Sequence, residues 1–146
     1  MKRVYCTSIL KQGSTYELEK KYYIHLVKVM RLKVGDHVSL FNNTSGEWKS
    51  EIVDIKNNFL IAKTISQISP PQAETSIDLM FSPIKYQNSE SIIRQSTEMG
   101  IRSIFPTIFK RTINTKINLT KFNAYAIGAA QQSERLSIPN IHDLND

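Results

Sequence analysis

The run HLVKVMRLKVGD, residues 25–36, gathers Lys28, Arg31 and Lys33 into a short cationic cluster. Phosphate oxygens need partners of this kind, and an arginine adds a planar fork that can grip two oxygens at once. At helical spacing Lys28 and Arg31 share a face. The same charges also suit the solvated C-terminal end of a helix, where the helix dipole favours cations. Glu98 stands just before Gly100 at the predicted end of another helix, a position that suits a surface carboxylate as well as a functional one. Other chemistries lack their parts. His25, His37 and His142 never fall at i, i+4 on a helix, and one cysteine builds neither a disulfide framework nor a multi-cysteine zinc site. Cys6 lies in the apolar run VYCTSI, where a thiol is expected to be an inert buried hydrophobe. There is no Walker-type phosphate loop and no glycine-rich dinucleotide fingerprint. No metal site and no catalytic triad can be assembled from the spacing.

Charge distribution sharpens the reading. The net charge is +6, and residues 1–72 carry eleven Lys/Arg against six Asp/Glu, whereas residues 73–146 carry eight against seven. A small basic domain is an electrostatic footprint for phosphates, although solubility alone is also served by it. With 40% hydrophobic and 22% charged residues the composition is that of a globular chain. The longest apolar runs fall far short of the roughly 20 residues that span a bilayer, so no membrane partner is expected. Thr7, Ser8, Lys11 and Gln12 interrupt the apolar core a signal peptide would need after Lys2 and Arg3. A reducing cytoplasm is the expected location.

The elements that must position these residues change rhythm halfway. In the first half, Tyr23, Leu26, Val27 and Met30 predict a helix over 17–31, with Glu17 and Glu19 at its start. HVSLF, EWKSEIVDI and FLIAKTI read as short strands separated by the turns NNTSGE and Lys56–Asn58, with Trp48, Ile52 and Ile55 as core candidates. These predict a small antiparallel barrel. SQISPPQAET, with Pro70 and Pro71, reads as a linker and sets a boundary near residue 72. The second half alternates strand and helix. SIDLMFS is a strand; a helix capped by Asn88 or Ser89 runs to Gly100; IRSIFPTI is a strand; Lys110–Lys116 is a basic loop; a helix capped by Thr120 carries Phe122, Tyr125, Ala126 and Ala129; and PNIHD is extended. That order predicts a right-handed parallel βαβαβ unit.

Several of these segments resemble a known family. HLVKVMRLKVGDHVSLF followed by Gly46, Glu47 and Trp48 is similar to the N-terminal RNA-binding domain of the ribosomal RNA small subunit methyltransferase E family. IIRQSTEMG, IRSIFPTIFKRT and GAAQQSERLSIP resemble, in order, three later segments of that family. The resemblance implies a small PUA-like antiparallel β-barrel over residues 1–72, followed over residues 73–146 by the N-terminal half of a SPOUT methyltransferase domain, an incomplete parallel βαβαβ half-sheet. It implies methyl transfer from S-adenosylmethionine to N3 of a uridine in 16S ribosomal RNA, with the small ribosomal subunit as partner. Lys28, Arg31, Lys33 and Arg111 become RNA-binding candidates, and Thr97, Glu98, Gln132, Ser133 and Arg135 candidates for the rim of the active site. Gln95, Arg94, Lys110 and Gln131 depart from the family pattern. The family's GPEGG and LGxxILRxETA loops, which the resemblance assigns to the cofactor, are not found in these residues. The expectation is therefore a chain truncated before the knot, inactive alone and without its own S-adenosylmethionine site. It would act through a homodimer or a complementing C-terminal fragment. A non-catalytic RNA-binding module and an inactive remnant of a split gene are the alternatives.

Overall fold

The computed structural model describes residues 1–73 and 75–145; Glu74 and Asp146, which fall inside the second predicted segment, lie outside the described residues. The chain divides into two compact units, Met1–Gln72 and Ala73–Asp146.

The first unit is a five-stranded sheet. Its strands are β1 (Lys2–Tyr5), β2 (Thr15–Leu18), β3 (His37–Asn42), β4 (Gly46–Lys56) and β5 (Phe59–Ser69), in the order β1-β3-β4-β5-β2. Neighbours are antiparallel except β1, which runs parallel to β3. Strand alternation sends Val4, Val38, Leu40, Ile52, Leu60 and Ala62 into one core, joined by Leu18, Tyr22 and Leu26. Ile52 is fully buried, as the sequence predicts, while Trp48 and Ile55 pack along the margin. Three register irregularities along β4 and β5 bend the sheet over this core. The two strands meet at Asn57 and Asn58, the latter at φ 77°, which asparagine tolerates better than most side chains. At Gly46 (φ 74°) a Cβ would stand 2.2 Å from the Ser69 carbonyl oxygen, so only glycine lets β4 start against the end of β5.

Two expectations for this unit are corrected. The helix predicted over 17–31 starts later, as α1 (Lys20–Tyr23), and continues as a π-helical segment over Ile24–Val29. Glu17 belongs instead to β2, whose residues pair with Leu60–Lys63, and Glu19 is the N-cap position without a side-chain cap bond. The linker is also shorter than SQISPPQAET, because Ser66, Gln67 and Ser69 find ladder partners in Glu47–Lys49 and extend β5.

The sheet face opposite the core holds a shielded ion pair. Arg3 donates to both carboxylate oxygens of Glu47, at 3.0 and 3.2 Å, and the Ser39 hydroxyl donates to the same carboxylate. The Arg3 guanidinium also lies 4.0 Å from the centroid of the buried Phe41 ring. Register places Arg3 beside Ser39 and Phe41 beside Glu47, so three strands are cross-linked by charge. At the strand ends, the Asn42 amide donates to the carbonyls of Cys6 and Ser8, its oxygen accepts from Ser45 N–H, and Ser45 Oγ accepts from Leu10 N–H. The NNTSGE turn is thus a hydrogen-bonded hub for the loop that follows β1. Cys6 is buried beside it.

The second unit is the predicted parallel βαβαβ sheet: β6 (Asp78–Phe81), α2 (Tyr86–Met99), β7 (Ser103–Pro106), α3 (Leu119–Gln132) and β8 (Asn140–Ile141), with strand order β6-β7-β8. Phe81, Ile104 and Ile141 from the strands meet Ile93 of α2 and Phe122 and Ala126 of α3 in one core, which puts both helices on the same face. Both predicted caps move. Lys85 holds the N-cap position of α2, while Ser89 sits in the first turn and its hydroxyl bonds back to Ile84. Asn118, not Thr120, caps α3 by accepting from Lys121 N–H at 3.0 Å. Gly100 ends α2 at φ 80°, as its position in the sequence predicts. On the other face of this sheet the His142 ring stacks on Phe105 at 4.1 Å, and Arg102 grips Asp78 through two hydrogen bonds of 2.9 and 2.6 Å. Among the described residues no helix is long and apolar enough to cross a membrane.

Two stability predictions follow from the ion pairs. Arg3→Met strands the Glu47 carboxylate in a shielded site and should cost about 3–5 kcal/mol in denaturant unfolding, most of which the double variant Arg3→Met/Glu47→Leu restores. For Asp78, hydrogen bonding to Arg102 holds the carboxyl below its ordinary value. A depressed folded-state value means stability that is present above the unfolded-state value of about 3.9 and lost as pH falls through the folded one. Thermal melts between pH 2 and 5 should therefore show a shallower acid limb for Asp78→Asn than for the parent.

Candidate functional site

Leu26 anchors the basic segment of the first unit in the core, with Val27, Met30 and Leu32 packed against it, which turns the intervening polar side chains outward. The turn is wider than an α-helix: Met30 N–H donates to the carbonyl of His25 and Leu32 N–H to that of Leu26. Widened turns of this type are rare and recur at functional positions. Arg31 then leaves the helix in the left-handed region at φ 59°, an uncommon conformation for a residue with a Cβ. Lys28 and Arg31 consequently do not sit one above the other on an α-helical face, as their spacing suggests. Lys28 lies 5.6 Å from the Tyr23 ring centroid. Lys33 follows in a turn closed by its own N–H donating to the Asp36 carboxylate at 2.6 Å. All three cationic side chains are exposed. The structure thus supplies a fixed, cation-bearing corner with a bent backbone at its apex.

The candidates in the second unit separate into different environments. Thr97 is fully buried and its hydroxyl donates to the Ile93 carbonyl at 2.8 Å, one turn back in α2. Glu98 is exposed, and its backbone carbonyl, the acceptor left over at the end of α2, receives Arg135 Nε at 2.9 Å. The Arg135 guanidinium fills the space beside Gly100, where a Cβ would stand 2.5 Å from Nη1. Gly100 is therefore favoured for its left-handed φ, and a Cβ there would also displace the end of the Arg135 side chain. A cation on the C-terminal end of a helix is favoured by the dipole. Gln132 is the exposed last residue of α3, and Ser133 ends that helix with its hydroxyl donating to the Ala129 carbonyl at 2.8 Å. Each of these residues lies where a helix ends and leads into the next strand, at the N-terminal edge of the parallel sheet.

The C-terminal edge, where open α/β sheets hold ligands, is built from other residues. Ser82 follows β6 and its hydroxyl bonds that of Thr112 at 2.7 Å. Thr112 Oγ1 also accepts from Phe109 N–H at 2.7 Å, and Thr112 N–H donates to the Phe109 carbonyl at 2.8 Å. These bonds close a turn that carries Lys110 and Arg111 at its exposed tip. Beside it a cleft of about 270 Å3 is lined by Pro83, Ile84, Ser89, Asn114, Lys116 and Phe122 among others. A second, shallow depression of about 580 Å3 continues from Lys116 to Leu144. Of this edge, the sequence singles out only Arg111 and the basic character of residues 110–116. Ser82 carries no motif, and Phe109 and Thr112, although inside the segment IRSIFPTIFKRT, are given no role by it; the usable signal is their position after predicted strands. Among the described residues no group of three His, Cys, Asp or Glu side chains could hold a metal ion.

Comparison with known proteins agrees with the geometry. A model described as an RNA methyltransferase domain matches residues 71–146, and one described as an RNA methyltransferase PUA domain matches residues 23–65. The ribosomal RNA small subunit methyltransferase E of Rickettsia conorii is 35% identical over 140 residues, covering 95% of this chain and 57% of that protein. The chain thus spans less than two thirds of the length of this curated relative. The enzyme of the same name from Neisseria gonorrhoeae, solved with S-adenosyl methionine, superposes with a TM-score of 0.84 at 22% identity, over 99% of this chain and 61% of that one. A chain from Thermotoga maritima described as a predicted RNA methyltransferase gives 0.85 at 20% identity, over 100% and 67%. At these identities the solved structures establish the fold.

The backbone at Arg31 yields a prediction of its own. Glycine adopts φ 59° without the Cβ conflict that costs a substituted residue about 1–2 kcal/mol, partly offset by glycine's greater freedom in the unfolded chain. Arg31→Gly should raise the unfolding free energy by about 0.5–1 kcal/mol in urea titration, whereas Arg31→Ala should not.

Proposed function

Since the chain belongs to the RNA methyltransferase family, we propose that it forms part of an enzyme that methylates N3 of a uridine in 16S ribosomal RNA, and that residues 1–146 supply the RNA-holding portion. In this reading the first unit is the RNA-binding barrel and the second the opening half of the SPOUT domain. The observation that carries it is the exposed Lys28, Arg31 and Lys33 corner, fixed on a π-helical turn in a unit of net charge +5 by its eleven Lys/Arg and six Asp/Glu. The names of the curated relatives support small-subunit ribosomal RNA as the target. Arg111, on the tip of the Phe109–Thr112 turn, is assigned to the same polymer. Thr97 supports the fold of α2 from within, and Arg135, Gly100 and the Glu98 carbonyl lock the ends of the two helices. Their assigned part is to hold the two helices in place.

S-adenosylmethionine, when bound, supplies the methyl group. The described residues do not fit it. Of the two depressions at the strand ends, the cleft of about 270 Å3 is below the roughly 300–1,000 Å3 of small-molecule sites and has Lys116 as its ionic lining group, a cation set against a cationic sulfonium. The other, of about 580 Å3, is large enough but shallow and open, and Lys116 lines it too, beside Asp143. We therefore assign the cofactor to segments other than residues 1–146, contributed in the same or a complementing polypeptide, and derive no step through it.

Two measurements test this. Binding of residues 1–146 to a 16S RNA fragment should weaken with salt. Changing Lys28, Arg31 and Lys33 together to glutamine should lower the affinity and flatten the log–log salt slope by about 2–3, since each phosphate contact contributes roughly 0.7–0.9. A triple variant that binds as the parent does removes the corner from the interface. Calorimetric titration of the same polypeptide with S-adenosylmethionine should show no saturable heat at micromolar concentrations, and saturable heat would overturn the cofactor assignment.

A further inference from the structure

We infer that the Phe109–Thr112 turn is a second nucleotide contact, selective for single strands, in which one unpaired base stacks on the Phe109 ring while the adjoining phosphates meet Lys110 and Arg111. The inference rests on the reading of the chain as an RNA-binding polypeptide and adds a base-reading element in the second unit.

Three observations carry it. Phe109 is 49% exposed, an unusual placement for a large aromatic ring on a polar loop, and its neighbours Lys110 and Arg111 are exposed cations. The turn is also built before any ligand arrives. Phe109 and Thr112 exchange backbone and hydroxyl hydrogen bonds, Ser82 holds the Thr112 hydroxyl, and the root is tied by Ile108 N–H donating to the Asn145 carbonyl at 2.8 Å and Asn145 N–H to the Pro106 carbonyl at 3.0 Å. A pre-ordered tip loses little conformational freedom on binding. Finally, the turn stands at the C-terminal end of β7, the edge at which open α/β sheets hold their ligands.

The chemistry selects the partner. Every base offers a π-face to an aromatic ring, and two cations that directly follow that ring in the chain suit the phosphates that adjoin the base. In an A-form duplex the bases are stacked on one another and their faces are closed to a side chain, so the ring can be used only by unpaired nucleotides. Two adjacent cations disfavour a basic or neutral apolar protein surface as the occupant.

The test uses residues 1–146 with a fluorescently labelled hexauridylate and a labelled RNA duplex, followed by anisotropy at several salt concentrations. Phe109→Ala should weaken hexauridylate binding about five- to 150-fold, from the loss of one stacked base. It should leave the duplex affinity and the salt slope unchanged, because no charge is removed. Phe109→Leu should fall with Phe109→Ala, since a leucine keeps the apolar bulk without the π-face, and Phe109→Trp should bind as the parent or better. Lys110→Gln/Arg111→Gln should instead flatten the hexauridylate slope by about 1.4. Far-ultraviolet circular dichroism and melting of each variant separate a fold defect from lost stacking, and Phe109→Trp keeps a ring in place in either case. Equal hexauridylate binding by the parent, Phe109→Ala and Phe109→Trp overturns this inference alone. Failure of the parent to bind either RNA overturns it together with the functional reading on which it rests.

Discussion

Parallel strands cannot be joined by a hairpin: each crossover must carry the chain from the C-terminal end of one strand back to the N-terminal edge of the sheet, and its right-handedness fixes the face it crosses. In the second unit this constraint is applied twice in succession, from β6 to β7 and from β7 to β8. It puts α2 and α3 side by side on one face, where Ile93, Phe122 and Ala126 close over Phe81, Ile104 and Ile141. It also sorts every loop. Helix ends gather at one edge of the sheet and strand ends at the other. The Arg135 lock on Glu98 and Gly100 belongs to the first edge, and the tethered Phe109–Thr112 turn to the second. A lock that rigidifies one edge lets the opposite edge carry exposed cations and an exposed ring on a steady frame.

The first unit reaches the same end by different means. Its core is small, and its sheet is bent by irregular pairing between β4 and β5. Charge and hydrogen bonds supplement apolar packing there: the Arg3 and Glu47 pair ties three strands on the face away from the core, and Asn42 and Ser45 tie the loop after β1. Tyr22, just before the π-helical turn, buries its ring and donates its hydroxyl to the Tyr5 carbonyl at 3.1 Å, and that burial pushes the phenol's pKa far above its ordinary range. The basic corner is thus mounted on a segment pinned at Tyr22 and Leu26, with Arg31 in a backbone conformation that side chains seldom adopt. Local strain held by a well-packed surround is the usual signature of a position kept for function.

Much of the architecture is legible in the residues. Alternation at Val38 and Leu40 marks a strand; the change from short alternating runs to helical spacing after Pro71 marks the change of sheet type; Gly100 marks the end of α2. The misplacements share a cause. Glu17 looks like a helix-start residue because its type favours that place, but it pairs with Ile61, between Tyr16 on Ala62 and Leu18 on Leu60, and a ladder outweighs the modest preference of one carboxylate. Asn88, Ser89 and Thr120 are each good caps by type, and each loses to a neighbour that the incoming chain places at the helix entrance. The π-helical turn could not be read at all, since its residues are indistinguishable from those of an α-helix until packing of Leu26, Met30 and Leu32 decides the pitch.

By itself, then, the sequence determined what depends on local pattern: two halves of different periodicity, the excess of positive charge in the first, the parallel order of the second, and the motifs that mark its family. Tertiary structure alone decided which of the named polar residues are available. Thr97 is sealed in the core, Arg135 is committed to a helix end, and Arg31 is presented at a left-handed corner. Phe109, to which the sequence assigns no role, stands exposed on a turn that it closes with Thr112 around two cations. The reason is physical: periodicity reports which face of an element is apolar, but burial, pairing and the edge of the sheet at which a loop emerges are set by contacts between residues far apart in the chain, which no local window contains.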